Sequence, residues 1–356
     1  MYQPLLRALT MGLAFSALTA AVARADTPQH SEPDHHDSQS WAISMDNDMF
    51  SFANTDRDFT AGMAISYTGR PGLRYWKPLD DLLGYLNRLH GLGAKNNDPS
   101  RIVPSIELGE YGFTPRAIEN TDITTDDRPY ASLTYLSISR VYRPDSHADG
   151  WSSSLTLGFL GLNIFDSTQN EIHRITGNQI AEGWRYQISN GGEPTFRYQV
   201  AYHDFWHNSS PNARFKTTYF GSVGYLTEAG IALSTREGRI SSPDYRFMPE
   251  LVTYGEKVND VADGVFHGPE NYFWGGVALK VRVYNAFLQG QFRHSDHTYN
   301  SNDLRMVLAE AWIGYTASFG DGIKLSYVFR AQTSEIRVGK ADRSLVWGGL
   351  VLSQAF

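Results

Sequence analysis

The sequence predicts an all-β protein, a transmembrane antiparallel up-and-down β-barrel of about twelve strands with a short helix in an outer loop. Three observations predict this fold. The chain begins with an export-type segment at residues 1–25, and it ends with a strand-like segment, residues 345–356, that closes on a phenylalanine. Between these ends the chain has no cysteine, is rich in aromatic residues and reads as a succession of strand-length segments.

The first element is a predicted secretory signal peptide. Arg7 supplies a basic start, residues 8–22 are apolar, and small residues at Ala23 and Ala25 give the A-x-A pattern that precedes cleavage. The apolar run is shorter than the roughly 20 residues that a helix needs to cross a bilayer, which argues against a transmembrane helix. We therefore expect cleavage after Ala25, a polar N-terminal segment at residues 26–40 and a barrel domain at residues 41–356.

Charge and composition exclude several classes of protein. Cleavage removes Arg7 and Arg24, so the formal net charge goes from −7 to −9. An acidic chain is a poor partner for nucleic acid, whose phosphates require a basic surface. The lack of cysteine excludes thiolate metal sites and cysteine nucleophiles. A 13% aromatic content with a mean hydropathy of −0.37 is expected when lipid-facing and lumen-facing positions alternate.

The strand-like segments, including the C-terminal one, number about twelve. An even number places both ends of the barrel on the periplasmic side, so the odd-numbered connections face outward. These outer connections include residues 49–58, 115–129 and 164–194. The predicted strands are residues 41–48, 59–69, 103–114, 130–143, 151–163, 195–206, 214–226, 230–239, 272–289, 304–319, 323–337 and 345–356.

Two inner connections, residues 70–102 and 240–271, are longer than inner turns usually are. The first carries leucines at helical spacing with charged residues between them. This pattern predicts a short amphipathic helix lying at the inner interface of the membrane. A plug packed against the barrel floor is the alternative for the same segment.

A polar cluster begins where the first predicted strand ends. Asp46, Asn47 and Asp48 reach the outer rim, and Asp56 and Arg57 follow just before the second strand. Carboxylate and amide oxygens that converge at a strand end are hard ligands suited to Ca²⁺. The alternative is a polar outer loop that an Asp/Arg pair holds together.

A second cluster lies in the long outer connection. Residues 169–177 carry isoleucines at positions 172 and 175, which indicates a short helix with one apolar side, and Gly177 is a plausible stop. His173 lies near the apolar side, where it could face the barrel wall. A lone loop histidine is more often structural or solvated than catalytic.

Taken together, these residues resemble the lipid A 3′-O-deacylase family of outer-membrane barrels. The resemblance covers nearly the whole mature chain, and its motifs occur in the family's order. The matching positions are Asn47-Asp48, Asp56-Arg57, Phe59-Thr60-Ala61-Gly62, Asp127-Arg128-Pro129-Tyr130-Ala131, Gln169-Asn170, Ile172-His173-Arg174, Gly183-Trp184, Gln187, Asn190, Asn285, Phe287-Leu288, Gly290, Arg330 and Glu335.

The resemblance implies a Ca²⁺-dependent hydrolase that removes the ester-linked acyloxyacyl chain at the 3′ position of lipid A in the outer leaflet. The family's catalytic histidine falls on His173 and its calcium-binding aspartate on Asp48, while Asn47 and Thr60 take the neighbouring catalytic positions. An imidazole can take a proton from water near neutral pH, and a bound cation can polarise an ester carbonyl. The implied partners are lipopolysaccharide and the lipids of the outer membrane.

The chain departs from the family pattern at two positions. A functional lysine of the second outer loop has no counterpart in residues 116–127, where Arg116 is the candidate substrate contact. A guanidinium is a planar fork and an ammonium is a compact charge, so headgroup recognition is expected to differ. Ala181 stands where a family member has a tyrosine.

Two other classes of function compete with this prediction. A serine-type outer-membrane esterase would need a hydroxyl activated by histidine, and His294, Ser295 and His297 are the nearest candidates. Adjacent strand residues point to opposite faces, which disfavours contact between His294 and Ser295. A non-catalytic barrel, acting as a channel or adhesin, is the second alternative.

Overall fold

The computed structural model describes residues 39–51, 58–91, 101–142, 149–176, 179–206, 212–260, 268–320 and 322–356. The predicted signal peptide, residues 26–38 of the polar segment, and Asp56 and Arg57 lie outside these ranges. The described residues belong to one compact unit.

The described strands form one closed antiparallel barrel in which each strand pairs with its neighbours in the sequence and the last pairs with the first. All twelve predicted segments contain a strand, so the predicted fold class is confirmed. The strands are β1 Ser40–Asn47, β2 Asp58–Thr68, β3 Ile102–Thr114, β4 Ala131–Tyr142, β5 Gly150–Leu160, β6 Glu193–Phe205, β7 Ala213–Gly224, β8 Leu226–Arg239, β9 Asn271–Asn285, β10 Val307–Phe319, β11 Ile323–Gln332 and β12 Leu345–Ala355.

Short helices occupy several connections. The α-helices among the described residues are α1 Arg70–Leu73, α2 Lys77–Leu89, α3 Ile164–Thr176 and α4 Ala286–Gln289. Helix α4 takes residues that the sequence pattern assigned to the end of β9, because the Asn285 side chain accepts a hydrogen bond from the backbone N–H of Phe287 and starts a helical turn. In the described part of the chain, no helix has the length and apolarity to cross a membrane.

Alternation along the strands separates a lumen face from an outer face. In β3, Tyr111 and Phe113 are fully buried in an aromatic core inside the lumen, whereas Leu108 on the opposite face is 45% exposed. Trp347 of β12, three strands away from β3, contributes to the same core. The apolar outer positions are therefore the ones that face lipid.

The connection between β8 and β9 folds back into the lumen as a plug. Tyr254 stacks on Phe59 in the lumen core, with 6.0 Å between ring centroids. The Glu256 carboxylate accepts a hydrogen bond from Tyr225, and the backbone N–H of Lys257 donates to Glu107 over 2.8 Å. The sequence pattern suggested a plug as an alternative for residues 70–102, but it is this second long connection that fills the barrel.

Helix α2 packs on the outside of the wall. Leu83 is fully buried in a cluster with Ile138 of β4. The neighbours of Ile138 in the strand, Ser137 and Ser139, hydrogen-bond the plug in the lumen, so Ile138 faces outward. Asn87 is fully buried against the same surface. The predicted amphipathic helix is therefore confirmed, and the plug alternative for this segment is wrong.

Candidate active site

Helix α3 also lies on the outside of the barrel, at the end where the outer loops emerge. Phe165 is 3% exposed and packs with Ala61 of β2 and with Trp184, whose ring centroid is 5.2 Å away. Gly112 of β3 faces this ring, and any side chain there would collide with it. A glycine in the wall thus lets the helix approach closely.

A β-bulge aims Thr60 toward the helix. The pairing of β2 with β3 shifts register between Phe59 and Ala61, which leaves Thr60 as the extra residue. Its hydroxyl accepts hydrogen bonds from Thr114 and from the amide of Gln169, each over 3.1 Å. Thr60 is only 1% exposed. These two hydrogen bonds therefore form a buried connection between the wall and α3.

Asn47, at the end of β1, is tied to the same bulge. Its amide nitrogen donates to the backbone carbonyl of Thr60 over 2.5 Å. Its amide oxygen accepts the N–H of Met49 over 2.6 Å and so caps the 3-10 helix Asp48–Phe50. Asn47 therefore fixes the strand end and the start of the turn that carries Asp48.

His173 follows Gln169 by one helical turn, so the two side chains share one face of α3. Both are almost fully buried. Gln169 spans the interface, since its amide donates to Thr60 and its oxygen accepts the indole N–H of Trp184 over 2.8 Å. The structure thus connects Asn47, Thr60 and the helix that carries His173.

The surroundings of His173 define its tautomer. Its Nδ1 contacts the backbone carbonyl of Gln179, which can only accept a hydrogen bond. The proton of the neutral imidazole is therefore assigned to Nδ1, which leaves the Nε2 lone pair as the basic site. Asn170 holds the same segment, donating to the carbonyl of Ala181 over 3.1 Å and accepting its N–H over 2.9 Å.

Asp48 is 1% exposed and follows Asn47 directly. Its backbone carbonyl accepts the N–H and the hydroxyl of Ser51, which closes the turn. Asp46 does not join it, because the Asp46 carboxylate pairs with Lys257 of the plug in the lumen, whereas Asp48 lies in the 3-10 turn that follows the strand. Within the described ranges, no group of three or more His, Asp or Glu side chains is arranged to hold a metal ion. A cation at Asp48 would thus need carbonyl or water oxygens as well.

The other charged motif residues at this rim tie outer loops together. Arg128 pairs with Glu335 over 3.0 Å, and Arg343 bridges Asp58 and Asp127, each over 2.7 Å. Burial raises the pKa of Glu335, but the guanidinium groups of Arg282 and Arg128 outweigh it and hold the pKa below its ordinary value.

The remaining candidates contact the outer loops, two of them at Asp127. The backbone N–H of Arg116 donates to Asp127 over 2.9 Å, and its side chain is exposed in the outer loop. Ser295 accepts the N–H of Ser189, and His297 Nε2 contacts the carbonyl of Asp127. Ser295 and His297 therefore engage different partners in this structure.

Sequence reasoning missed the function of Gln169 as the bridge between wall and helix. It noted Gln169 only as one position of the family pattern. A glutamine one turn before a candidate histidine is a weak signal, because its partners Thr60 and Trp184 are distant in sequence.

The fold and this site define the class of protein. It is a membrane β-barrel with a plugged lumen, whose candidate site lies on the outer face of the wall at the rim of the outer loops.

The family model described as outer membrane protein LpxR matches residues 9–356, so the chain belongs to this family and is an outer-membrane protein. No curated protein matches the sequence.

Among the solved structures compared, that of LpxR supports the fold. LpxR from Salmonella typhimurium is 16% identical, with a TM-score of 0.67 over 89% of this chain and 100% of the other. The β domain of the Bordetella autotransporter BrkA is 10% identical, with a TM-score of 0.41 over 90% of this chain and 100% of the other. The KdgM porin is 6% identical, with a TM-score of 0.37 over 89% of this chain and 99% of the other.

Proposed function

We propose that this protein is a calcium-dependent lipid A 3′-O-deacylase that removes the 3′-linked acyloxyacyl chain in the outer leaflet of the outer membrane. The observation that carries the proposal is the position of His173, on a helix packed against the lipid-facing side of the wall at the outer rim. A lipid in the outer leaflet can reach that position with its acyl chains still in the membrane. Membership of the family supports the same reaction.

The base in this mechanism is His173. Its Nδ1 proton is held by the carbonyl of Gln179, so Nε2 takes a proton from water as the water oxygen attacks the ester carbonyl carbon. The tetrahedral intermediate then collapses, and the bond to the sugar oxygen breaks. The proton passes from Nε2 to that oxygen, which yields a free fatty acid and a sugar hydroxyl.

Asp48 is the proposed metal ligand. Its buried carboxylate offers the hard, anionic oxygen that Ca²⁺ prefers. When bound, the ion would supply positive charge that polarises the ester carbonyl and stabilises the oxyanion. Asn47 positions Asp48 by capping its turn. It also donates to the backbone carbonyl of Thr60, and the Thr60 hydroxyl accepts a hydrogen bond from Gln169, one turn before His173 on α3.

The alternatives receive less support. A channel would need an open lumen, but the plug of residues 244–260 packs into the aromatic core. A serine esterase would need Ser295 to contact a histidine, and its hydroxyl instead accepts the N–H of Ser189.

Arg116, exposed at the rim, is the proposed contact for the phosphorylated sugar headgroup.

Mass spectrometry of lipid A tests the proposal. Cells that express the wild type should lose one acyloxyacyl mass, and cells that express His173→Ala should not. Purified protein should act on lipid A with calcium and fail with a chelator. Unchanged lipid A with folded, calcium-supplied wild type would refute the proposed activity.

A further inference from the structure

The outer connection between β9 and β10 reaches across the rim to the start of β6. The Gln291 side chain bonds Thr195 over 2.5 Å and the Pro194 carbonyl over 3.2 Å. The Glu193 carboxylate accepts the N–H groups of Phe292 and Arg293 over 2.8 and 3.0 Å. The backbone at residues 291–293 is therefore held in a defined position.

This rigid segment presents an exposed aromatic ring. Phe292 is 96% exposed. An apolar ring that stays exposed forgoes the hydrophobic stabilisation that it would gain on burial. The neighbouring outward positions Phe196 and Val223 are about half exposed and belong to the lipid-facing surface of β6 and β7. Phe292 extends this surface at its outer end.

A cavity of about 290 Å³ lies between the loop and the wall. Its lining is mainly apolar and includes Phe196, Tyr284, Pro194 and Phe292. Gly224 forms part of the wall with φ of +133°, and a Cβ there would lie 2.0 Å from the Phe196 carbonyl oxygen. The cavity is thus a concave, apolar site that continues the established contact of the barrel with lipid.

Two side chains with basic groups follow Phe292 directly in the chain. Arg293 and His294 are both exposed. The Arg293 guanidinium donates to the carbonyls of Asn190 and Gly192, which fixes its charge at the rim. Basic side chains at the edge of a membrane attract anionic lipid headgroups.

We infer that this cavity binds one acyl chain of a lipopolysaccharide-type lipid, with Phe292 covering the chain and Arg293 beside the phosphorylated headgroup. The site lies on β6, β7 and β9, whereas α3 packs on β2 and β3. It is a second lipid site and does not depend on hydrolysis. A lipid held here would fix the orientation of the outer rim in the leaflet.

Photo-crosslinking tests the inference with the full-length protein in detergent micelles. Phe292 is replaced by the photoreactive p-benzoylphenylalanine, and purified bis-phosphorylated lipid A is titrated in. Val307, 59% exposed at the outer end of β10, is the matched control, because it faces lipid but does not line the cavity. The same titration is run in the His173→Ala background, in which lipid A is not expected to be hydrolysed. A change in crosslinking there reports binding and not consumption of the lipid.

We expect saturable crosslinking to lipid A at position 292 in both backgrounds and only weak, non-saturating labelling at position 307. Phe196→Ala should reduce the crosslink at position 292 by roughly tenfold and leave position 307 unchanged. Equal labelling at both positions would mean bulk lipid contact and would overturn the inference. Preferential labelling by phosphatidylglycerol over lipid A would overturn it too.

Discussion

The close packing of α3 on the wall can be tested with a single methyl group. Gly112 of β3 does not have a positive φ, so alanine fits its backbone. A Cβ at this position would lie 2.5 Å from Cε1 of Phe165, 2.8 Å from Cζ and 2.9 Å from Cδ1. One edge of a buried ring thus occupies the space that the methyl group needs.

The structure gives the size of the disturbance. Ordinary contacts begin at 3.4 Å, so the Phe165 ring must retreat by about 0.9 Å, the difference from 2.5 Å. Overpacking of this kind costs about 1–3 kcal/mol. Gln169 and His173 lie on the same helix as Phe165, so a shift of the helix also moves them. A misplacement of about 1 Å in a catalytic group can cost about 10²-fold in rate. We expect Gly112→Ala to lower deacylation by this order and to leave the barrel folded.

The assay is the rate of acyl release from lipid A, with heat-modifiable gel migration as the measure of folding. Gly221→Ala is the matched control, because its Cβ would meet only the Glu228 carbonyl at an ordinary 3.7 Å. Phe165→Leu in the Gly112→Ala background should restore part of the activity by removing ring atoms. The reasoning is refuted if Gly112→Ala is as active as Gly221→Ala.

Three further predictions concern charge and the proposed base. His173→Gln should lower kcat by on the order of 10²–10⁴-fold in a lipid A release assay, because glutamine cannot take up the proton. Asp48→Asn should raise the calcium concentration needed for half-maximal activity by more than roughly tenfold, since one anionic ligand is lost. The pKa of Glu335 is lowered from 4.5, so its carboxylate stabilises the folded protein above that pH, and this stabilisation is lost as the pH falls below it. Glu335→Gln should therefore show a smaller acid-induced drop in unfolding temperature than the wild type.

Each of these predictions has an outcome that contradicts it. Full activity of His173→Gln would remove the proposed base. An unchanged calcium requirement in Asp48→Asn would place the metal elsewhere. Equal acid sensitivity of the wild type and Glu335→Gln would show that the ion pairs with Arg282 and Arg128 do not control stability in acid.

The number and order of the strands could be predicted from the sequence because they follow from local pattern. Alternation with a period of two, over segments long enough to cross a bilayer, marks each strand without knowledge of its neighbours. The strand ends were less predictable. Residues 286–289 continue an apolar run but form a helical turn, because the Asn285 cap and the contacts of Phe287 with the lumen core decide the conformation.

The candidate site was only partly predictable. The family pattern singled out Asn47, Asp48, Thr60 and His173, but not how they are connected. A bulge at Thr60 and the bridge through Gln169 make the connection, and both depend on register and on partners far away in sequence. The sequence pattern also placed Asp46 in this cluster, yet Asp46 points into the lumen and pairs with Lys257.

The sequence by itself determined the twelve-strand barrel, the presence of a helix in each of the connections 70–102 and 164–194, and the family to which the chain belongs. Only the tertiary structure decided which surface each irregular segment covers. An amphipathic segment has the same pattern whether it lies inside or outside a barrel, because hydrophobic burial has no direction. Closure of the barrel places α2 and α3 on the outer wall and residues 244–260 in the lumen.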